Sequence, residues 1–206
     1  MVLTLFLFST RATCQTYAGG EYSQDIDGTP FFARTYVDVN GNPYLFDDFE
    51  TANITLFNGR VLKNVKTNFN LVTNEFLFID EKGATMIGSI LLIKAVETGT
   101  RKFIPLKEKK MYCEVISGEG KATLLRIYKK RIVETKAFNS ATAQKDFVLS
   151  DSHAVLIGEN LTNVKSADDL YEVLGSEELK DYAKKEKLKA KSVNSWIKIV
   201  NYYNSI

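Results

Sequence analysis

Residues 54–65 read Ile54-Thr55-Leu56-Phe57-Asn58-Gly59-Arg60-Val61-Leu62-Lys63-Asn64-Val65, and they carry the clearest structural signal in the chain. Two runs rich in apolar and β-branched residues flank Asn58-Gly59, a pair that accepts the positive φ angles of a type I′ turn. The stretch therefore predicts a β-hairpin. Alternation with a period near two continues over residues 35–158, for example in a predicted strand over residues 90–97. Asn40-Gly41 indicates a similar turn, although Pro43 lacks an N–H donor and favours an edge strand or a wider loop. This pattern is typical of antiparallel sheet.

The spacing of apolar residues becomes helical after Gly158. Residues 166–169, Ser-Ala-Asp-Asp, form a capping box for a first helix, and Gly175 stands where a helix usually ends. Ser176 and Ser192 are positioned to cap two further helices. We therefore predict an α+β, mainly β protein, in which an antiparallel sandwich or barrel-like sheet over residues 35–160 is followed by a C-terminal three-helix tail over residues 161–206.

The N-terminus has the features of an export signal. Residues 1–8 are apolar except for Thr4, and the small residues Ala12 and Cys14 fit a cleavage site before Gln15. We predict a signal peptide over residues 1–15, a polar segment over residues 16–34, and a periplasmic or extracellular location. Because a basic n-region is missing, a buried N-terminal strand is the alternative, and a lipid-bearing Cys14 is a lesser one. No segment approaches the ~20 apolar residues of a transmembrane helix.

Charge and reactive residues exclude several classes of function. The 27 basic and 25 acidic side chains are nearly balanced, which argues against nucleic acid as a partner. Removal of a signal peptide would leave Cys113 as the only thiol, and alternation predicts that it is buried and inert. His153 is the only histidine, and no His, Cys and carboxylate residues have the spacing of metal ligands. We therefore predict no catalytic residue, no cofactor and no metal.

Aromatic residues make up 12% of the chain, and they suggest a binding role. We predict a non-catalytic exported binding or interaction module of the cell envelope, in which Tyr44, Phe46, Phe57 and Phe69 are candidate contacts for a lipid, a glycan or an envelope protein. The alternative for each of these residues is a place in the core. The alternative function is a carboxylate-dependent hydrolase, for which the candidate carboxylates are Asp25, Asp27, Asp47 and Asp48.

Several short motifs occur in a characteristic order. They are Gly41-Asn42-Pro43-Tyr44-Leu45, Phe49, Gly59, Phe69-Asn70-Leu71, the glycine-turn segment 115–125, Phe138-Asn139-Ser140-Ala141-Thr142 and the closing Ile199-Val200-Asn201-Tyr202-Tyr203-Asn204. In this order the chain resembles a family of uncharacterised secreted β-rich proteins of Bacteroidetes-type Gram-negative bacteria. The resemblance implies a protein of the periplasm or cell envelope. It implies no activity and no functional residues.

Overall fold

The structure, a computed structural model, describes residues 26–33, 36–118, 120–136 and 143–206. The predicted signal peptide, Cys14 and Asp25 lie outside the described residues.

Within the described residues, twelve strands form one sheet that does not close on itself, and three helices follow it. The strands are β1 (Thr29–Pro30), β2 (Val39–Asn40), β3 (Glu50–Leu56), β4 (Val61–Asn70), β5 (Glu75–Ile79), β6 (Thr85–Ile87), β7 (Ile93–Thr98), β8 (Arg101–Leu106), β9 (Met111–Ser117), β10 (Thr123–Thr135), β11 (Gln144–Ile157) and β12 (Asn160–Val164). Their order is β1-β6-β5-β4-β3-β7-β8-β9-β10-β11-β12, and β2 pairs with β11. The predicted class, α+β and mainly β with a three-helix tail, is confirmed.

The helices that follow the sheet are α1 (Ala167–Leu174), α2 (Glu178–Lys185) and α3 (Val193–Ser205). The predicted capping box is confirmed, since the Ser166 side chain accepts from the Asp169 N–H and the Asp169 carboxylate accepts from the Ser166 N–H. Gly175 ends α1 with a φ of 65°. The prediction for α2 is wrong in one detail, because its N-cap is Glu177 rather than Ser176.

The hairpin predicted around Asn58-Gly59 is confirmed, but its turn is not type I′. A type I′ turn needs a positive φ at both central residues, but of Asn58 and Gly59 only Gly59 has one, of 87°. The Gly59 N–H donates to the Leu56 carbonyl, and the Leu56 N–H donates to the Arg60 carbonyl. These bonds define a three-residue loop in which a left-handed glycine follows a tight turn. The loop is therefore Phe57-Asn58-Gly59, and Arg60 completes the connection to β4, which begins at Val61.

Asn40-Gly41 does not join two neighbouring strands. Strand β2 instead pairs in parallel with β11, with Val39 opposite Lys145 and Asn40 opposite Asp146. The Asn40 side chain donates to the Asp146 carboxylate, at 3.0 Å. This is the one parallel pairing among the strand pairs that the structure describes.

The first hydrophobic core lies on the face of the sheet formed by β3 to β9. Its buried side chains include Ile54, Leu56, Phe69, Phe76, Phe78 and Phe103. The sheet curls around this core, because the Tyr112 N–H donates to the Asn74 side chain and the Lys130 N–H donates to the Leu71 carbonyl. The connection between β4 and β5 thereby contacts β9 and β10.

The second hydrophobic core lies between the last strands and the three helices. It includes Leu124, Val155, Leu170, Leu179, Trp196 and Ile199. The end of α3 is fixed to the start of β10 by Asn204, whose side chain accepts from the Ala122 N–H and donates to the Ala122 carbonyl. Leu124 and Tyr128 lie on the same face of β10, because they are an even number of residues apart. Leu124 belongs to the second core and Tyr128 packs on the first, so both cores meet this face of β10.

Candidate functional site

The four predicted aromatic contacts lie in different environments. Phe69 is 3% exposed and belongs to the first core. Phe46 is half-buried, with its ring 6.4 Å from that of Phe69 and its face 5.2 Å from the Arg101 guanidinium. Tyr44 is also half-buried. Phe57 alone among the four is exposed, to 50%.

Phe57 belongs to a group of exposed apolar side chains that we name the apolar end. Its members are Phe57, Val61, Leu91 and Leu92, which are 50%, 49%, 64% and 37% exposed. They lie together because antiparallel pairing places Leu56 opposite Ile93, so the β3–β4 turn and the segment before β7 meet at one end of the strands. Exposed apolar groups that are gathered in one region mark binding surfaces more often than scattered ones do.

Backbone hydrogen bonds hold the apolar end in one arrangement. The Phe57 N–H donates to the Leu92 carbonyl at 2.9 Å, and the Leu92 N–H donates to the Ser89 carbonyl at 3.2 Å. The sequence predicts that Leu91 and Leu92 belong to a strand, but β7 begins only at Ile93. Successive residues of a strand point to opposite faces, so Leu91 and Leu92 cannot both face the core from one strand. The two adjacent leucines were therefore the feature of the sequence that could have indicated an exposed apolar side chain here.

Basic side chains lie beside the apolar end. The β8–β9 connection, Lys107-Glu108-Lys109-Lys110, reaches it because Leu106 and Met111 pair at the same end of the strands. The Lys107 Nζ lies 3.5 Å from the centre of the Phe57 ring, over its face. Arg60 follows the β3–β4 turn, and all five charged residues are exposed. In the β8–β9 connection, three lysines thus accompany one carboxylate, that of Glu108.

An open groove of about 320 Å³ runs along the other side of the β8–β9 connection. Its apolar lining comes from Pro105, Leu106, Leu156 and Leu161, and its charged lining from Lys107, Glu108, Lys109 and Glu159. The volume is at the lower end of the range for small-molecule sites. Lys107 borders both the groove and the apolar end, so the two form one continuous surface.

A second cluster, the Glu114 network, lies on the sheet between the two cores. Glu114 is 6% exposed. Its carboxylate accepts from the Arg101 Nε at 2.6 Å and from the Tyr128 hydroxyl at 2.7 Å, and it lies 3.6 Å from Arg126. Arg101 and Arg126 also donate to the Tyr128 hydroxyl, at 2.9 and 3.2 Å.

The network extends along β10 and β11 towards α3. The Arg126 Nε lies 3.5 Å from the Asp151 carboxylate and 3.4 Å from the His153 Nε2. The His153 ring meets the Trp196 ring edge to face, at 5.4 Å. Burial, followed by the charge of Arg126, lowers the pKa of His153. The pKa of Tyr128 is raised, chiefly because burial disfavours the phenolate.

The charges of the Glu114 network are internally matched. Two guanidinium groups face two carboxylates, those of Glu114 and Asp151, and the best-buried carboxylate already holds three polar partners. Arg101 also lies over the faces of Phe46 and Phe103. The network therefore joins the two cores across the sheet, and it explains why Phe46 is half-buried.

The carboxylates predicted for a hydrolase are not brought into a buried site, as far as the structure describes them. Asp27, Asp47 and Asp48 are all exposed. Asp47 accepts from the Asn42 amide at 3.2 Å. Within the described ranges, no three His, Cys, Asp or Glu side chains lie close enough together to hold a metal ion. Cys113 is buried, as alternation predicts, and its burial raises the pKa of the thiol to about 12.

Comparisons of the chain with protein-family models, with curated proteins and with solved structures found no match. The resemblance to the secreted Bacteroidetes-type family therefore stays a prediction. Of the helices that the structure describes, none is long and apolar enough to cross a membrane.

Proposed function

We propose that the protein is a non-catalytic binding module of the cell envelope, and that the apolar end with its neighbouring lysines is its binding surface. The observation that carries this proposal is the exposed Phe57 ring, which is fixed through its backbone to Leu92 and covered on one face by Lys107. An apolar group beside a cation suits a partner that has both an apolar part and a negative charge.

The groove beside Lys107 supports the same class of partner. Leu106, Leu156 and Leu161 give it an apolar floor, and Lys107 stands at the border with the apolar end. A bound amphiphile would place its apolar part against these side chains and its charged group near the lysine. This arrangement needs few polar contacts, which is typical of sites for apolar ligands.

A binding role is also favoured by what the titratable groups already do. Glu114 is held by Arg101 and Tyr128, and the thiol of Cys113 is buried with a raised pKa. A general base or a nucleophile has to reach its substrate, and these groups are committed to the interior.

The proposal is tested with the anionic apolar dye 1-anilinonaphthalene-8-sulfonate. We expect saturable binding at the apolar end, and we expect the double substitution of Phe57→Ser and Leu91→Ser to weaken it by roughly fivefold or more. Both side chains are at least half exposed, so the variant should keep its fold, which its thermal unfolding curve verifies.

A matched control replaces two exposed apolar residues elsewhere, Val148→Ser and Leu149→Ser on β11, which are 42% and 50% exposed. Dye binding should be unchanged in this control. Equal losses in both variants, or no saturable binding by the unaltered protein, would refute the apolar end as a binding surface.

Export is a separate part of the proposal. It is supported by the apolar run 1–8 and by the small residues before Gln15. Mass spectrometry of the protein recovered from the cell envelope should give a mature chain that begins at Gln15. A chain that retains residues 1–14 and fractionates with the cytosol would refute it.

A further inference from the structure

We propose that the partner of the apolar end is the surface of an anionic lipid bilayer, which the protein binds peripherally. This inference rests on the proposed function, since it names the partner of the same surface. Phe57 and Leu91 would enter the boundary between headgroups and acyl chains, and the surrounding lysines would meet the headgroups.

The position of the apolar side chains favours a bilayer over a protein groove or a single small ligand. Phe57 lies on the tight β3–β4 connection, and Leu91 and Leu92 lie on the segment that leads into β7. These are connections at the end of the strands rather than the floor of a cleft, and Leu91 is exposed to 64%. Side chains on connections at the end of a sheet can enter a planar interface together.

The charges around the apolar end favour an anionic surface. Lys107, Lys109 and Lys110 are exposed in the β8–β9 connection, where Glu108 is the one acidic residue, and Glu159 is the further acidic residue that lines the adjoining groove. An anionic leaflet attracts such a cluster, and each lysine near the surface strengthens binding about fivefold at moderate salt. The chain as a whole carries only +2, so the positive charge here is a local feature.

The fixed backbone favours insertion without a change of shape. The bond from the Phe57 N–H to the Leu92 carbonyl joins the two connections, and the Leu56–Gly59 turn closes the first of them. Lys107 keeps its ammonium group over the Phe57 ring, so the cation already lies beside the group that would enter the bilayer. Little conformational entropy remains to be lost on binding.

The experiment is co-sedimentation of the full chain with vesicles of phosphatidylcholine containing about 30% phosphatidylglycerol, compared with vesicles of phosphatidylcholine alone. We expect binding to the anionic vesicles that weakens strongly between about 0.05 M and 0.5 M NaCl. Phe57→Ser with Leu91→Ser should weaken it about tenfold or more. Lys107→Gln with Lys109→Gln should weaken it roughly 25-fold, as two lysines are removed.

Matched controls use exposed residues far along the chain. Lys184→Gln with Lys185→Gln on α2 removes two exposed lysines, and Val148→Ser with Leu149→Ser removes two exposed apolar groups. Both control variants should bind as the unaltered protein does. Binding that persists in the Phe57 variant would overturn the proposal, since it would then arise elsewhere, for example in the apolar run 1–8.

Failure of this inference can be told apart from failure of the proposed function. If the unaltered protein does not sediment with anionic vesicles but still binds the dye through Phe57 and Leu91, the surface binds a soluble amphiphile or a protein, and the bilayer is refuted. If dye binding is also independent of these residues, both proposals fail. Sedimentation that depends on Phe57, Lys107 and low salt supports both.

Discussion

Replacing Glu114 with glutamine tests whether the Glu114 network joins the two cores. The substitution keeps the size of the side chain, so no cavity forms, but it removes the one negative charge that both arginines share. Arg101 and Arg126 would then face each other across the Tyr128 hydroxyl without that carboxylate. The native state should lose stability, while the unfolded state, in which these groups are hydrated, should hardly change.

The magnitude follows from the exposure of the partners. Breaking a fully buried ion pair by removing one partner costs about 3–5 kcal/mol. The Glu114 side chain is 8% exposed, but those of Arg101 and Arg126 are 29% and 30% exposed, so water compensates part of the loss. We therefore expect the free energy of unfolding to fall by about 2 kcal/mol.

Urea denaturation followed by circular dichroism measures this change. With a slope of about 2 kcal/mol per M, the midpoint should fall by about 1 M. The control is Glu97→Gln, because the Glu97 side chain is 49% exposed and pairs with Lys102 only at 3.7 Å on the same sheet, so it should contribute at most about 0.5 kcal/mol. Equal midpoints for the two variants would refute the idea that the network stabilises the junction of the cores.

Three further predictions concern single side chains. His153→Asn should reduce the loss of stability on acidification: the lowered pKa of His153 means that the unfolded state binds the proton first, so stability falls as the pH drops through about 6.5. Equal shifts of the melting temperature between about pH 7.5 and 5.5 in variant and parent would contradict this. Asn204→Ala should lower the free energy of unfolding by about 1–2 kcal/mol, because the Ala122 N–H and carbonyl both lose their partner; a chemical denaturation midpoint equal to that of the parent would contradict it. Cys113, studied in a Cys14→Ser background, should react with Ellman's reagent only after unfolding, because burial raises its pKa to about 12; rapid reaction of the native protein would show that the thiol is accessible.

The elements that sequence predicts well are those whose signals are local. The capping box needs only Ser166 and Asp169, three residues apart, and the structure contains both of its hydrogen bonds. The signal for the hairpin at residues 54–65 is equally local, but it does not determine the type of turn. Asn58-Gly59 suits both a type I′ turn and a three-residue loop, and the pairing of Leu56 with Arg60 selects the loop.

Contacts between distant residues were beyond prediction from one sequence. Asn40 contacts Asp146 across 106 positions of the chain, and nothing near Asn40 indicates a parallel partner. Alternation places Glu114 on the same face as Tyr112, but it does not identify Arg126 as the residue opposite. The register between strands decides such pairs, and it arises from the packing of the whole sheet.

The candidate aromatic contacts show the same limit. Phe57 and Phe69 both belong to alternating patterns, so the sequence does not distinguish the buried residue from the exposed one. Phe69 lies in the middle of the first core because β4 continues through it, whereas Phe57 is exposed because β3 ends at Leu56. The position at which a strand ends therefore decides which of these aromatic side chains is exposed.

The apolar end is difficult to explain by stability alone. Its shape is held by backbone bonds, such as the bond from the Phe57 N–H to the Leu92 carbonyl, which polar side chains at the same positions would leave intact. Phe57 and Leu91 keep half or more of their surface in water, so they contribute little of the burial that stabilises the cores. Exposed apolar groups that cluster also carry a risk of aggregation. A partner that covered them, as we propose, would remove that risk and would use the same apolar area for binding, so substitutions here should change binding much more than folding.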